Sequence, residues 1–178
     1  MERDHKSDFR KSCIKRLEFT SQFLKFSKEK KTVEKLKNII EKYKANSILL
    51  YIPVGMEVNV FPLINYLRKR QKKVFVPFMV EDSFKLVRYR LPLETKKFKI
   101  KEPANSFCID NRIDLAIVPV VGVDKECKRV GFGKGMYDRF FDRLKYRPII
   151  VFTQLTLCKT EKTLTDKYDI QADYIITD

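Results

Sequence analysis

Two short β-prone runs in this chain, SILLYI at residues 47–52 and KVFVPF at 73–78, each run into a proline, and a helical stretch over 60–70 separates them. Antiparallel neighbours can be joined by a tight turn, whereas parallel neighbours need a crossover of about a dozen residues, which this spacing supplies. The order strand, helix, strand therefore predicts a parallel βαβ unit, and with it an α/β protein. Further runs extend the sheet: FKLVRYR at 84–90 alternates as a strand does, DLAIVPV at 114–120 is apolar enough to be buried on both faces, and PIIVFT at 148–153 and DYIIT at 173–177 add two more. Two helices are expected to open the chain, over 2–19 and 28–43, the second with Val33, Leu36, Ile40 and Tyr43 on one face. A last helix is expected over 136–144, and the Lys-rich stretch 91–111, interrupted by Pro92 and Pro103, reads as irregular or edge structure.

A length of 178 residues, 44% of them hydrophobic and 14 of them Phe, suits one compact domain over 1–178 with a real core. The expected architecture is a single α/β domain with a mostly parallel sheet flanked by helices. Ligands of such sheets gather at the carboxyl ends of the strands. The longest nearly apolar run, IDLAIVPVVGV, is too short to span a bilayer, and the N-terminal residues lack the apolar core of a secretion signal, so a cytoplasmic protein without membrane association is expected. The four cysteines, Cys13, Cys108, Cys127 and Cys158, are far apart and form no CxxC, and they read as reduced, mostly buried thiols.

The glycines mark the candidate site. Of five in the chain, Gly131, Gly133 and Gly135 fall in the stretch GFGKG. Each interior glycine costs a helix or strand roughly 0.5–1 kcal/mol relative to alanine, so three in so few residues specify a shaped loop. That loop runs straight into the helix at Met136. Glycines that let a ligand approach, ahead of the free N–H groups of a helix start, make a phosphate cradle. Lys128, Arg129 and Lys134 supply the cations, and Asp138 follows as a carboxylate that can hold magnesium beside bound phosphates. The loop is not a P-loop, because GxxxxGK[ST] is absent, and Met136 leaves GxGxxG incomplete.

Taken together, VPVVGVDKECKRVGFGKGMYDRF at 118–140 resembles the signature of the 5-formyltetrahydrofolate cyclo-ligase family, also called methenyltetrahydrofolate synthetases. The resemblance rests on Gly122, Asp124, Arg129, Gly131, Gly133, Gly135, Tyr137 and Asp138. Weaker matches in the same order are Lys6 and Arg10, Glu57, Glu102 with Pro103, and DIQADYIIT from Asp169. The resemblance implies a sandwich of the NagB/RpiA/CoA-transferase-like kind. It also implies ATP- and magnesium-dependent conversion of 5-formyltetrahydrofolate to 5,10-methenyltetrahydrofolate, with release of ADP and phosphate through a phosphorylated formyl group.

By the same resemblance, ATP would be bound by Lys6, Arg10, Arg129, Gly131, Gly133, Lys134, Gly135, Met136 and Tyr137, with Lys134, Arg129 and Tyr137 at the reacting centre. The reduced folate would meet Ile52, Glu57, Phe132 and Met136, and Asp138 and Asp169 would hold Mg2+. The chain departs from the family pattern at Phe132, Met136, Val130, Lys99 and Tyr168. Its partners are expected to be these small molecules, with the chain a monomer and no specific nucleic acid involved.

The net charge, 38 − 23 = +15, suits any anionic partner. Two other readings therefore stand beside the first. One is a basic nucleic-acid-binding module, supported by RKRQKK at 68–73; the other is a sugar-phosphate or CoA-handling enzyme on the same superfold.

Overall fold

The computed structural model describes the chain except for residues 1, 97–99, 105–106 and 108–111 and the side chains of 2–4. Helices α1 (Glu2–Phe23) and α2 (Lys25–Lys42) open it, followed by strand β1 (Ser47–Leu49), helix α3 (Phe61–Lys69) and strands β2 (Lys73–Val80) and β3 (Ser83–Arg88). Next come β4 (Leu93–Thr95), β5 (Lys101–Pro103), β6 (Leu115–Pro119), β7 (Gly122–Val123) and β8 (Arg129–Val130). The chain closes with α4 (Met136–Asp142), β9 (Ile149–Thr153) and β10 (Tyr174–Ile176).

Six strands form the main sheet in the order β10-β9-β6-β1-β2-β3, parallel throughout except for the β2–β3 hairpin. The expected βαβ unit is β1–α3–β2. Successive side chains of a strand face opposite ways, so Ile48 joins the core cluster that holds Leu17, Leu36, Ile40, Leu63 and Leu67 of α1, α2 and α3. Leu49, Phe75, Ala116, Val118 and Phe152 face the other side and pack with Phe140 of α4. Both faces of the sheet are covered, which accounts for strands as uniformly apolar as LAIVP. From β1 the chain builds one way to β2 and β3, and from β6 it builds the other way to β9 and β10. The carboxyl ends of β1 and β6 thus flank the point where winding reverses, the usual crevice for a ligand.

Three sequence expectations are corrected, and the reading of 91–111 as irregular or edge structure gains detail. Pro77 does not end its strand: β2 pairs with β1 only through Phe75, so beyond that residue the face a proline amide would serve is open, and the strand continues to Val80 against β3. The first helix runs to Phe23 and α2 begins at Lys25, since neither proline nor glycine interrupts 20–27. Within 91–111, β4 and β5 pair as a short hairpin, Glu102 accepts a hydrogen bond from the Met79 amide (2.8 Å), and Lys99 and Cys108 lie outside the described residues. Cys13 and Cys158 are not reduced thiols but a disulfide, 145 residues apart in sequence, between α1 and the segment after β9. Both are buried in the core, where tertiary packing brings two remote thiols together without any spacing signal. Cys127 is free.

Candidate active site

The Gly-rich loop crosses the crevice from β8 to α4. Gly133 and Gly135 have φ of 103° and 62°, a left-handed backbone that glycine adopts without strain. Gly131 answers a different need: a Cβ there would lie 2.4 Å from Nη1 of Arg129, because the loop passes directly over that guanidinium. Arg129 is only 6% exposed. Its Nη1 donates to Asp138 (3.4 Å), its Nε to the Pro119 carbonyl (3.3 Å), and its guanidinium stands 5.0 Å from the Tyr137 ring centre.

Helix α1 reaches the loop from the other side. Arg10 Nε donates to the Gly131 carbonyl (2.7 Å), and its guanidinium lies against Gly133. One turn earlier, Lys6 Nζ pairs with Asp169 at 2.5 Å. The Ile170 amide donates to Asp138 (3.2 Å), which brings the two expected metal ligands to the same place. The Lys6–Asp169 and Arg129–Asp138 ion pairs therefore lie side by side, with Arg10 of α1 and the exposed Lys134 of the loop beside them. Among the described residues no group of three or more His, Cys, Asp or Glu could cage a metal. Two carboxylates suit magnesium all the same, since it takes one or two protein oxygens and completes its shell with phosphate and water.

Beneath the loop lies an apolar cavity of about 330 Å³, walled by Val54, Glu57, Pro119, Phe132, Met136 and Tyr137, with Arg129 and Lys134 at its edge. A smaller hollow of about 100 Å³ continues past Glu57 to Ile52, Met79 and Phe84. Glu57 is the charged group shared by both hollows. Burial pushes its carboxyl up to about 7, against the pull of the Val54 amide, which donates to it at 2.9 Å, and of the Arg129 and Lys25 charges. Burial also pushes the Tyr137 phenol well above its ordinary value, outweighing Arg129, so it stays protonated in the cavity wall.

All the residues expected at the site meet around this crevice: Lys6, Arg10, Asp138 and Asp169 on the polar side, Ile52, Glu57, Phe132 and Met136 on the apolar side, and Arg129, Gly131, Gly133, Lys134, Gly135 and Tyr137 between them. α4 has only seven residues, shorter than expected, so its dipole adds little, and an anion at the loop would have to be held by loop amides and cations. Three further residues support the loop; Arg139 and Ser83 were not singled out in the sequence, and Asp124 stood there only as part of the family pattern. Arg139 donates from Nε to the Asp82 carbonyl (2.8 Å) and also reaches the Lys134 carbonyl, tying the loop to the β2–β3 turn. Ser83 donates to the Met136 carbonyl (3.2 Å). Asp124, fully buried, gathers the amides of Glu126, Lys128 and Leu164 and the Thr165 hydroxyl, fixing the turn that feeds β8. Burial alone would raise its carboxyl, but these hydrogen bonds outweigh it and hold the group below its ordinary range.

A sequence profile of the 5-formyltetrahydrofolate cyclo-ligase family matches residues 2–178. A 5-formyltetrahydrofolate cyclo-ligase of Mycoplasma pneumoniae is 30% identical over 133 residues, 74% of this chain and 73% of that protein. One of Haemophilus influenzae is 28% identical over 142 residues, 75% and 76% of the two chains. Among solved structures, the 5,10-methenyltetrahydrofolate synthetase of Aquifex aeolicus superposes with a TM-score of 0.81 at 29% identity, over 96% of this chain and 88% of that one. The 5,10-methenyltetrahydrofolate synthetase of Mycoplasma pneumoniae gives 0.76 at 28% identity, over 97% and 98%.

Proposed function

Because the chain belongs to the 5-formyltetrahydrofolate cyclo-ligase family, we propose that it joins the formyl carbon of 5-formyltetrahydrofolate to N10 at the expense of ATP, giving 5,10-methenyltetrahydrofolate, ADP and phosphate. The observation that carries this reading is the Gly-rich loop itself. One side of it faces the cations of α1 and two carboxylates, and the other roofs an apolar cavity with a single acid at its wall. A triphosphate and a flat heterocycle that must react with one another need such a partition.

A formamide oxygen is a poor leaving group. Transfer of the γ-phosphoryl of ATP to that oxygen makes it a good one and leaves the carbon electrophilic. The N10 amine then attacks the carbon, the C–O bond breaks, phosphate departs and the N10 proton is lost to solvent or phosphate. There is little covalent work for the protein, which acts by positioning and by charge.

Lys6, Arg10 and the loop amides of Gly131, Gly133 and Gly135 hold the phosphates, and Lys134 and Arg129 oppose the negative charge that grows on the phosphoryl oxygens. Asp138 and Asp169 would hold Mg2+, which would supply positive charge to offset that of the phosphates. Glu57, once ionised, accepts two hydrogen bonds from ring donors of the pterin, with Ile52 beside it. Phe132, Met136 and Tyr137 close over the ring and keep water from the activated carbon.

Mixing the protein with 5-formyltetrahydrofolate, ATP and magnesium should produce the near-ultraviolet absorbance of the methenyl product. No ATP-dependent rise would refute the proposal. Lys134→Ala and Asp138→Asn should each slow that rise by at least about 100-fold, the scale of losing one charge-stabilising group, while leaving the circular dichroism spectrum unchanged.

A further inference from the structure

Glu57 sits on a stretch of chain with no ladder of its own. Residues 50–60, between β1 and α3, form neither helix nor strand, so the place of the Glu57 carboxyl depends on what anchors them. Within the stretch the side chain closes on its own backbone. The Val54 amide donates to Glu57 Oε2 (2.9 Å), and the Glu57 amide donates to the Val54 carbonyl (3.1 Å). That ring fixes the carboxyl relative to residues 54–57, but not those residues relative to the cavity. The turn at Gly55 (φ 57°) stands in open space, since a Cβ there would meet no heavy atom within 4 Å.

The anchors come from the start of α2. Lys25 Nζ donates to the Gly55 carbonyl (2.7 Å), and Glu29 Oε1 accepts from the Asn59 amide (2.8 Å). These contacts fall two residues to either side of Glu57. Lys25 and Glu29 are four apart on one helical face and pair at 3.8 Å, with 32% and 13% of their side chains exposed. The Asn59 end of the loop also rests on the core, where the Tyr51 hydroxyl donates to the Val58 carbonyl (2.8 Å) and Val58 and Val60 are buried. Charge agrees with position. Around the two hollows that Glu57 walls stand Arg129, Lys134, Lys101 and the phenols of Tyr51 and Tyr137, with Lys25 and Glu29 added from α2. The Lys25 charge favours the ionised carboxyl, the form that accepts hydrogen bonds from a pterin.

We propose that Lys25 and Glu29 are positioning residues for the folate: together they clamp the loop that carries Glu57 and so set how well its carboxyl meets the pterin. The inference rests on the assignment of Glu57 to the pterin. It gives the two opening helices separate tasks, α1 serving the phosphates through Lys6 and Arg10 and α2 serving the folate.

The test is steady-state kinetics of the full chain, each substrate varied in turn. Glu29→Ala leaves the Asn59 amide without its acceptor and should raise KM for 5-formyltetrahydrofolate about tenfold or more, with KM for ATP moving less than about twofold. Glu29→Gln keeps an oxygen for that amide and should bring the folate KM back to within about threefold of the parent. Lys25→Met should raise the folate KM by roughly three- to tenfold. It should also move the rising limb of folate kcat/KM to higher pH, because a cation that favours the charged carboxyl is gone, and Lys25→Arg should restore both. Equal rises in the two KM values would mark the pair as general support for the fold and overturn the inference. So would a folate KM unmoved in Glu29→Ala and Lys25→Met. If circular dichroism shows Glu29→Ala unfolded, Lys25→Met and Lys25→Arg decide the matter, and a pH limb that stays in place in Lys25→Met overturns it. A parent that turns over with variants unmoved sinks this inference alone, whereas a parent without ATP-dependent turnover sinks the cyclo-ligase reading and the inference with it.

Discussion

The Glu57 carboxyl sits in the wall of an apolar cavity, where burial lifts it to about 7. The charged form is the one that can accept two hydrogen bonds from a pterin, so kcat/KM for the folate should rise as pH climbs through about 7, since that ratio reports groups of the free enzyme. Glu57→Gln should lose this limb and cost at least about 100-fold in kcat/KM, as expected when a site built for paired hydrogen bonds is left unpaired. Stability moves the opposite way. The folded state holds the Glu57 proton more tightly than the unfolded chain does, so its contribution is complete below pH 4.5 and is lost as pH rises through 7. Without ligand, Glu57→Gln should therefore melt higher than the parent at pH 8, by up to about 3 kcal/mol of stability, with the gap closing toward pH 4.5. Gly131 carries a second prediction at this scale. A methyl group there meets the Arg129 fork at 2.4 Å, so Gly131→Ala must displace either the loop or the guanidinium. Activity should fall at least about tenfold, with destabilisation of about 1–3 kcal/mol from overpacking, read by denaturant titration. The glycines, cations and acids of this loop were legible in sequence because their types and spacing carry the chemistry. That Arg129 lies under the loop, bound to Asp138, was not, since a sequence cannot tell an arginine facing solvent from one roofed by glycine.

Helix α1 contributes Lys6 and Arg10, and its hold on the rest of the protein decides whether they reach the loop. A Cβ on Gly122 would lie 2.8 Å from the Phe9 ring and 2.9 Å from the Cys13 sulfur, so the helix rests directly on β7. The Cys13–Cys158 bond fastens it there. Cross-linking residues 145 apart restricts the unfolded chain strongly, by roughly 4–5 kcal/mol on the loop-entropy account. Cys13→Ser should accordingly lower the melting temperature by several degrees and raise KM for ATP more than KM for the folate, because only the phosphate side depends on α1. Equal changes in both constants would refute this division of labour. The helices and central strands were readable from period and punctuation. The β4–β5 hairpin and the β7–β8 pair were not, because two- and three-residue strands have no periodicity to read and exist only where a neighbouring strand or turn completes their hydrogen bonds.

Across the whole molecule, one sheet serves two cores. Leu49 and Ile48 are adjacent in β1 yet belong to opposite clusters, so neither face can be lost without exposing the other. Unfolding by denaturant should therefore follow a single transition, coincident by tyrosine fluorescence and by far-ultraviolet circular dichroism, and two separated transitions would show that residues 1–178 do not act as one domain. By itself the sequence determined the α/β class, the parallel βαβ unit and the Gly-rich loop as the candidate phosphate site, because periodicity, crossover length and glycine placement are local properties written in consecutive residues. Tertiary structure alone decided which remote groups meet: Lys6 with Asp169, Arg10 with Gly131, Cys13 with Cys158, and Glu57 with the cavity that shifts its proton. Those contacts depend on strand order and on the packing of α1 across the sheet. Burial and electrostatic environment are properties of the assembled fold and of no single segment of the chain.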